Sequence, residues 1–586
     1  MKFALPFATA ALAFSASCTA STIAGTKCNK GPHVVDHKQG VTYNGLDRNG
    51  IEVFLGIPFG QDTGGANRFK PPKPYKHVRG AVVDATSYGP ACPQVVGPVS
   101  HLLVQTDITE ISEDCLNLVI GRPKGTKAHS KLPVMVWIYG GGFWSGQNRE
   151  VTTAPDGMVL QSIENDSPVI QVNINYRLGF FGFAQSDALQ AEGSENAGLR
   201  DQRLALEWIQ EHIDQFGGDP ENVTIFGQSS GGLAVGMQVL AYGGSKPLPF
   251  QRGICQSQCN EQGITGNFTL EAMQLVVDEV GCDKGGLHSA ETIACFRDMD
   301  TDTLLTAFLT TFQDDIGHNF GDIWLPVVDG DFLPAAPSQL LREGKFGKAT
   351  MMIGWTQDDL TLYTDSSIET DDDTRAYFQA YLPTVTSENI DKLLGLYPVS
   401  EFPANEEAGL SSELYRAARI WRDIIMVCQP MFCGENFASQ GNDVYFYDWN
   451  QTVLDQVVKG GLGATGAGVI HTSEFAYIFG NISVYDTGAW PFQPSESDYA
   501  LVSRGSRSWS TFAATGKPSR KGHDTFVGFT PAFTRDGEVD VFIVGGPHEG
   551  LSAIDGPRAK PALAEQRIRE RCAFINSDEM VEQLRY

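Results

Sequence analysis

"TIFGQSSGG", Thr224 to Gly232, is the stretch on which the reading of this chain turns. A β-branched and aromatic run ends in Gly-Gln-Ser-Ser-Gly, and an apolar run follows. Gly227-Gln228-Ser229-Ser230-Gly231 fits the pattern G-x-S-x-G of a sharp strand-to-helix turn. Such a turn strains its serine and exposes Oγ. Small flanking residues are needed because the backbone passes close to its neighbours. The pentapeptide is common by chance, and its weight comes from the strand before it and the helix-competent run after it. A serine hydroxyl is a poor nucleophile until a base accepts its proton. If Ser229 is to react, the chain must also supply a histidine, an acid to hold that histidine and donors for an oxyanion.

Working outward, strand-like and helical runs alternate between about residues 130 and 260. "PVMVWIY" (Pro133–Tyr139) and "PVIQVNINY" (Pro168–Tyr176) are apolar runs bounded by Pro or Gly, as in buried strands. "NAGLRDQRLALEWIQEHIDQF" (Asn196–Phe216) sets Leu199, Arg203, Leu206, Ile209 and Ile213 at helical spacing, and Gly217-Gly218 ends it. "VTIF" and "QRGICQS" give two more strands. This alternation predicts a mostly parallel sheet with crossover helices. Glu406–Gln440 reads as helix. "VYFYDW" (Val444–Trp449) and "VDVFIV" (Val539–Val544) read as late strands. No composition break marks a second domain.

Downstream of Ser229 three histidines lie late enough to follow both serine and acid: His471, His523 and His548. His471 follows a Gly-rich loop and precedes an aromatic helix in "GAGVIHTSEFAYIFG". His523 in "RKGHD" and His548 in "GGPHEG" read as solvated loop residues. Upstream, "WIYGGGFWSG" (Trp137–Gly146) places three glycines directly after a strand. There backbone N–H groups can converge without Cβ clashes. No G-K-[ST] follows, so this is not a phosphate loop.

The bulk numbers bound the setting. Of 586 residues 42% are hydrophobic and 19% charged, ordinary for a globular protein. A formal charge of −27 repels phosphate backbones and anionic lipid, which argues against nucleic-acid partners. Met1-Lys2 followed by the apolar Phe3–Ala16 and small residues reads as a signal peptide spanning residues 1–20. No later stretch reaches 18 apolar residues, so no stable membrane anchor is expected in the mature chain, 21–586. Of eleven cysteines Cys18 leaves with the signal and ten remain, an even set suited to an oxidising compartment. Asn222, Asn267, Asn450 and Asn481 head glycosylation sequons.

Together these pieces resemble the type-B carboxylesterase and lipase family, which includes the cholinesterases and secreted fungal lipases. The likeness runs from about Gly40 to "RERCAF". Besides the motifs above it rests on "FLGIPFG" (Phe54–Gly60), "RFKPP" (Arg68–Pro72), "SEDCLNL" (Ser112–Leu118), "NYRLGFFGF", "FGGDPENVTIFGQSSGG" and "WSTFAATGKP" (Trp509–Pro518), in family order. The resemblance implies one α/β-hydrolase domain and a secreted, cofactor-free and metal-free ester hydrolase. It implies Ser229 as nucleophile, His471 as base, and the backbone N–H groups of Gly141, Gly142 and Ser230 as oxyanion donors. The family acid pattern falls on "GWTQDDL" (Gly354–Leu360) and points to Asp359, with Asp358 as a rival. Aspartate stands there for the commoner glutamate, and Leu360 for glycine. The resemblance also implies the disulfides Cys92–Cys115 and Cys282–Cys295, an Arg68–Glu113 ion pair, and Ser257 as a support behind the triad. Cys428 and Cys433 are near enough for a small bridge unless a helix lies between them. The sequence assigns no partner to Cys28, Cys255, Cys259 or Cys572.

Substrate class is less legible. The segment from Cys92 to Cys115 carries no aromatic residue, so the cation–π site of cholinesterases has no counterpart there. Its one apolar cluster is Leu102-Leu103-Val104. Gln228 stands where the family carries a glutamate, and it keeps the shape and hydrogen bonding without the charge. Phe143, Trp144 and Trp324 are candidate pocket walls. These features favour a carboxylesterase for apolar esters of medium size. A triglyceride lipase and an acyl-transferring enzyme are the alternatives, and a non-catalytic binding protein is a further one.

Overall fold

The apolar runs become the centre of one large sheet. Its strands are β1 (Leu46–Arg48), β2 (Ile51–Pro58), β3 (Asn117–Pro123), β4 (Leu132–Ile138), β5 (Ile170–Ile174), β6 (Gly218–Gln228), β7 (Arg252–Gln256), β8 (Thr350–Thr356), β9 (Val444–Trp449), β10 (Asp540–Val544) and β11 (Gly550–Ala553). They lie in the order β11-β10-β9-β8-β7-β6-β4-β5-β3-β2-β1. The run from β5 to β10 is parallel throughout. The edges, β1-β2-β3 and β11, are antiparallel. Every residue of β5, β9 and β10 is buried, as expected for strands covered on both faces.

The computed structural model describes residues 31–97, 103–315, 322–534 and 537–586, with the side chains of 312–315 excepted. The expected signal peptide, Cys18, Cys28 and Leu102 lie outside these residues. Pro32–Tyr586 forms one compact unit. Among the described residues no helix is long and apolar enough to cross a membrane.

The helix expected from residue 196 is α1 (Ala197–His212), continued by a 3-10 turn over Ile213–Phe216 and closed by Gly217 in the left-handed region, φ 93°. α2 (Ser230–Leu240) follows β6 at once and is buried along its whole length. α3 (Ser412–Arg422) passes through a π-helical turn, Asp423–Cys428, into α4 (Gln429–Ser439). That unbroken helix separates Cys428 from Cys433. Cys428 instead bonds Cys572, while Cys433, Cys255 and Cys259 are buried free thiols. Cys92–Cys115 and Cys282–Cys295 are bonded. Arg68 and Glu113 meet in the interior, Nε to Oε2 at 2.9 Å. Removing either would strand a buried charge, at a cost of about 3–5 kcal/mol.

Strand register sets the site. Gln228, Gln256 and Gly354 are direct neighbours across β6, β7 and β8. Ile138 pairs with Gly227. The glycine loop after β4, Ser229, Ser257 and the loop carrying Asp359 therefore leave the sheet at one edge, the carboxyl ends of its parallel strands.

Candidate active site

Ser229 stands between β6 and α2 with φ 58° and ψ −134°. For a residue with a Cβ this conformation costs on the order of 1–3 kcal/mol, and its surroundings must hold it. Its N–H donates to Gln256 O at 2.9 Å, and its carbonyl accepts from Leu233 N–H at 2.9 Å. The flanking glycines are steric necessities. A Cβ on Gly227 would lie 2.3 Å from Gly231 O, and one on Gly231 would lie 2.2 Å from Ile138 O.

His471 arrives from the loop after Gly468 and is 6% exposed. Its Nδ1 lies 2.6 Å from Asp359 Oδ1, and its backbone N–H donates to Asp359 O at 3.1 Å. Asp359 is fully buried, and its Oδ2 accepts from Thr356 N–H at 2.9 Å. The rival Asp358 points elsewhere: its Oδ2 accepts from Val469 N–H at 2.9 Å. The two adjacent carboxylates thus divide the work, one holding the ring and the other the loop that carries it. The edge of Tyr363 packs on the imidazole, centroids 5.8 Å apart.

The second ring nitrogen has an unexpected partner. His471 Nε2 lies 2.8 Å from Gln228 Nε2. With Nδ1–H given to Asp359, Nε2 carries the lone pair and accepts from the Gln228 amide. Ser229 Oγ makes no hydrogen bond among the described residues. Gln228 is therefore a direct partner of the histidine rather than a pocket wall. The glycine loop comes close to Ser229, since a Cβ on Gly140 would lie 3.0 Å from Ser229 Cβ. The N–H groups of Gly141, Gly142 and Ser230 have no acceptor among the described residues, whereas Phe143 N–H donates to Ser230 Oγ at 3.0 Å.

Other expected residues fall differently. Phe143 and Trp324 are core side chains: Phe143 packs on Phe183 and Tyr176, and Trp324 on Phe180 and Phe308. Trp144 is half-buried. Ser257 sits at φ 59°, and its buried Oγ has no hydrogen-bond partner among the described residues, so it does not reach the histidine–aspartate pair. Leu103 is buried and Val104 half-buried. Among the sequons Asn267 is exposed, the Asn450 amide nitrogen is enclosed, and the Asn222 and Asn481 side chains are hydrogen-bonded. Asn267 is thus the sequon with room for a glycan.

Three carboxyls near the site escaped the sequence reading. Burial raises Glu474 to about 7, opposed by a hydrogen bond from Gln256. Glu474 follows His471 by three residues, a spacing that would have flagged it. Asp322 is raised to about 6, again by burial, while its bond with Glu261 acts the other way. Burial and Asp322 push Glu261 well above the usual carboxylate range. Asp322 stands beside the glycine loop, since a Cβ on Gly142 would come within 2.8 Å of its Oδ1. No local signal marks these two, which are 61 residues apart.

Comparison with known proteins agrees with this architecture. A protein of Arthroderma benhamiae named a secreted lipase is 53% identical over 555 residues, 95% of this chain and 96% of its own. An inactive carboxylesterase-like protein of Byssochlamys spectabilis is 35% identical, over 83% of this chain and 84% of its own. The crystal structure of EstA from Aspergillus niger superposes with a TM-score of 0.74 at 23% identity, covering 96% of this chain and all of that one, which bears on the fold alone. The model of the carboxylesterase family matches residues 37–536, and the chain belongs to that family.

Proposed function

We propose that the chain is a secreted serine hydrolase that cleaves carboxylic esters through an acyl-enzyme on Ser229. The observation that carries this reading is His471 bound at Nδ1 by the buried Asp359, 2.6 Å away, with Nε2 2.8 Å from the side chain of Gln228, the residue next to the strained serine. In this scheme the ester carbonyl enters between Ser229 and the glycine loop. The Gln228 contact gives way, Nε2 takes the Ser229 proton, and Oγ attacks the carbonyl carbon. The oxyanion is met by the N–H groups of Gly141, Gly142 and Ser230. The imidazolium, stabilised by Asp359, protonates the leaving alcohol. Water, deprotonated by His471, then releases the acid and restores Ser229.

Family membership does not decide activity by itself, since one relative is named inactive. The serine, the histidine and the aspartate support the catalytic reading over a binding role. Ser229→Ala should lower kcat by a factor on the order of 10⁶. Full turnover of a p-nitrophenyl ester by that variant, or no labelling of the unsubstituted protein by a fluorophosphonate probe, would overturn the assignment.

A lipase acting at a lipid surface is the second reading, favoured by the name of the relative at 53% identity. Rate measured across the solubility limit of a triglyceride separates the two. A dissolved-ester hydrolase saturates below that limit, and a lipase accelerates above it.

A further inference from the structure

A cavity of about 600 Å³ lies beside the loop that carries His471, behind Asp358 and Thr361. Helix α3 forms one wall with Tyr415, Arg419 and Arg422, residues four and three apart and so on one face. Phe402, Pro403, Ala404 and Ala418 give it an apolar side. Most of its polar groups are already engaged. Glu401 pairs with Arg567 at 2.7 Å and Arg571 at 2.5 Å. Arg422 pairs with Asp423 and donates to Gln357 O and Gln566 Oε1, both at 2.9 Å. Tyr415 donates to Gly466 O at 2.8 Å.

Of the two arginines that line the cavity, Arg419 is the one left without a hydrogen bond. Its guanidinium has five N–H donors, and none makes a hydrogen bond among the described residues. The nearest carboxylate oxygen is Asp358 Oδ1, 3.9 Å away, although the side chain is only 15% exposed. Burial, with repulsion from Arg422, holds this guanidinium below its ordinary value. A desolvated charge without bonds is an unfavourable arrangement that an anion would relieve.

We propose that this cavity is a second ligand site, distinct from Ser229, in which Arg419 binds the carboxylate of an amphipathic monocarboxylic acid. A carboxylate matches the planar fork of arginine, and the apolar wall suits an alkyl or aryl tail. A phosphate dianion fits less well, because Asp358, Glu401 and Glu406 also line the cavity. The acid released by ester hydrolysis is such a ligand, and this identification rests on the functional reading above. The site also touches the catalytic loop. Asp358 holds Val469, and Tyr415 holds Gly466, both within the segment leading to His471.

The test uses octanoate as probe and protein whose Ser229 has been capped by a fluorophosphonate, so that binding at the active site is blocked. Calorimetric titration should show one octanoate per chain, with inorganic phosphate at least about tenfold weaker. Arg419→Met should weaken octanoate binding at least about tenfold, and Arg419→Gln should do the same while keeping hydrogen-bond donors. Octanoate should raise the melting temperature of the capped protein and leave that of both variants unmoved. Without octanoate neither variant should melt lower than the unsubstituted chain, because a desolvated charge has been removed. No binding, equal affinity in the variants, or phosphate binding as tightly as octanoate would each overturn the proposal. Failure of the fluorophosphonate to label Ser229 would instead sink the hydrolase reading, and octanoate titration of the uncapped chain would still judge the Arg419 site.

Discussion

Gln228→Glu tests the contact that most distinguishes this site. In the resting geometry the Gln228 amide donates to His471 Nε2 over 2.8 Å. A carboxylate in its place has no proton to donate. Two acceptors would face each other unless the ring takes up a second proton and bridges the new carboxylate and Asp359. An opposite charge within about 4–6 Å favours the charged form of a titrating group by about 1–3 pH units. The introduced charge lies at hydrogen-bond distance but is 3% exposed at the native residue, so the full effect is available. The acid limb of kcat/KM should therefore move toward higher pH by about 1–2 units. Below the new limb the rate falls tenfold per unit. Above it the base is free again. The hydrogen bond from the Gln228 amide is worth only about 0.5–1.5 kcal/mol, so the plateau should stay within about tenfold. The assay is p-nitrophenyl butyrate hydrolysis from about pH 5 to about pH 9, with both kcat and kcat/KM recorded. Superimposable profiles would show that Gln228 does not govern Nε2. A loss of more than about a hundredfold at every pH would show that the amide is part of the catalytic machinery.

Gly142→Ala places a Cβ 2.6 Å from Trp144 Nε1 and 2.8 Å from Asp322 Oδ1, at a φ of 59°. It should lower kcat about 10²–10³-fold while KM changes little, as for loss of an oxyanion donor; unchanged kcat removes the glycine loop from the mechanism. Cys428→Ser with Cys572→Ser opens a covalent link across 144 residues. Loop-closure entropy gives an upper limit of about 5 kcal/mol for the stability lost, to be read by urea unfolding with esterase activity retained in the folded fraction. Stability should also depend on pH through the buried carboxyls. Glu195 and Glu474 titrate at about 7, and Asp322 and Asp448 at about 6, each raised chiefly by burial. A carboxyl raised in the folded state contributes stability that is present below its unfolded value of about 4 and is lost as pH rises through the folded value. Asp36, Asp371 and Asp498 are lowered and act in the opposite sense, losing their contribution as the medium becomes more acid than about pH 4. The urea midpoint should therefore be higher near pH 5 than near pH 7.5, and the reverse order would show that the buried acids are not kept neutral.

Sequence alone determined the elements whose causes are local. The turn at Gly227–Gly231 is dictated by the volume of its own residues, and β4 to β7 by short apolar runs between Pro and Gly. Ser229 was legible from its own turn and His471 from the Gly-rich loop before it, whereas Asp359 was offered only by the resemblance to a family pattern, with Asp358 as rival. Relations between distant segments were decided only by the tertiary structure. Asp359 and His471 are 112 residues apart, and adjacent aspartates in one turn look alike until the loop's direction gives one to the ring and the other to Val469. Gln228 and His471 are 243 residues apart, so the sequence could register the missing charge at Gln228 but not the partner that feels it. Cys428 found Cys572 because the helix through Cys433 leaves the near pairing out of reach. Phe143 and Trp324 passed from pocket wall to core for the same reason: a side chain's type sets what it can bury, and only the packed chain sets what lies beside it.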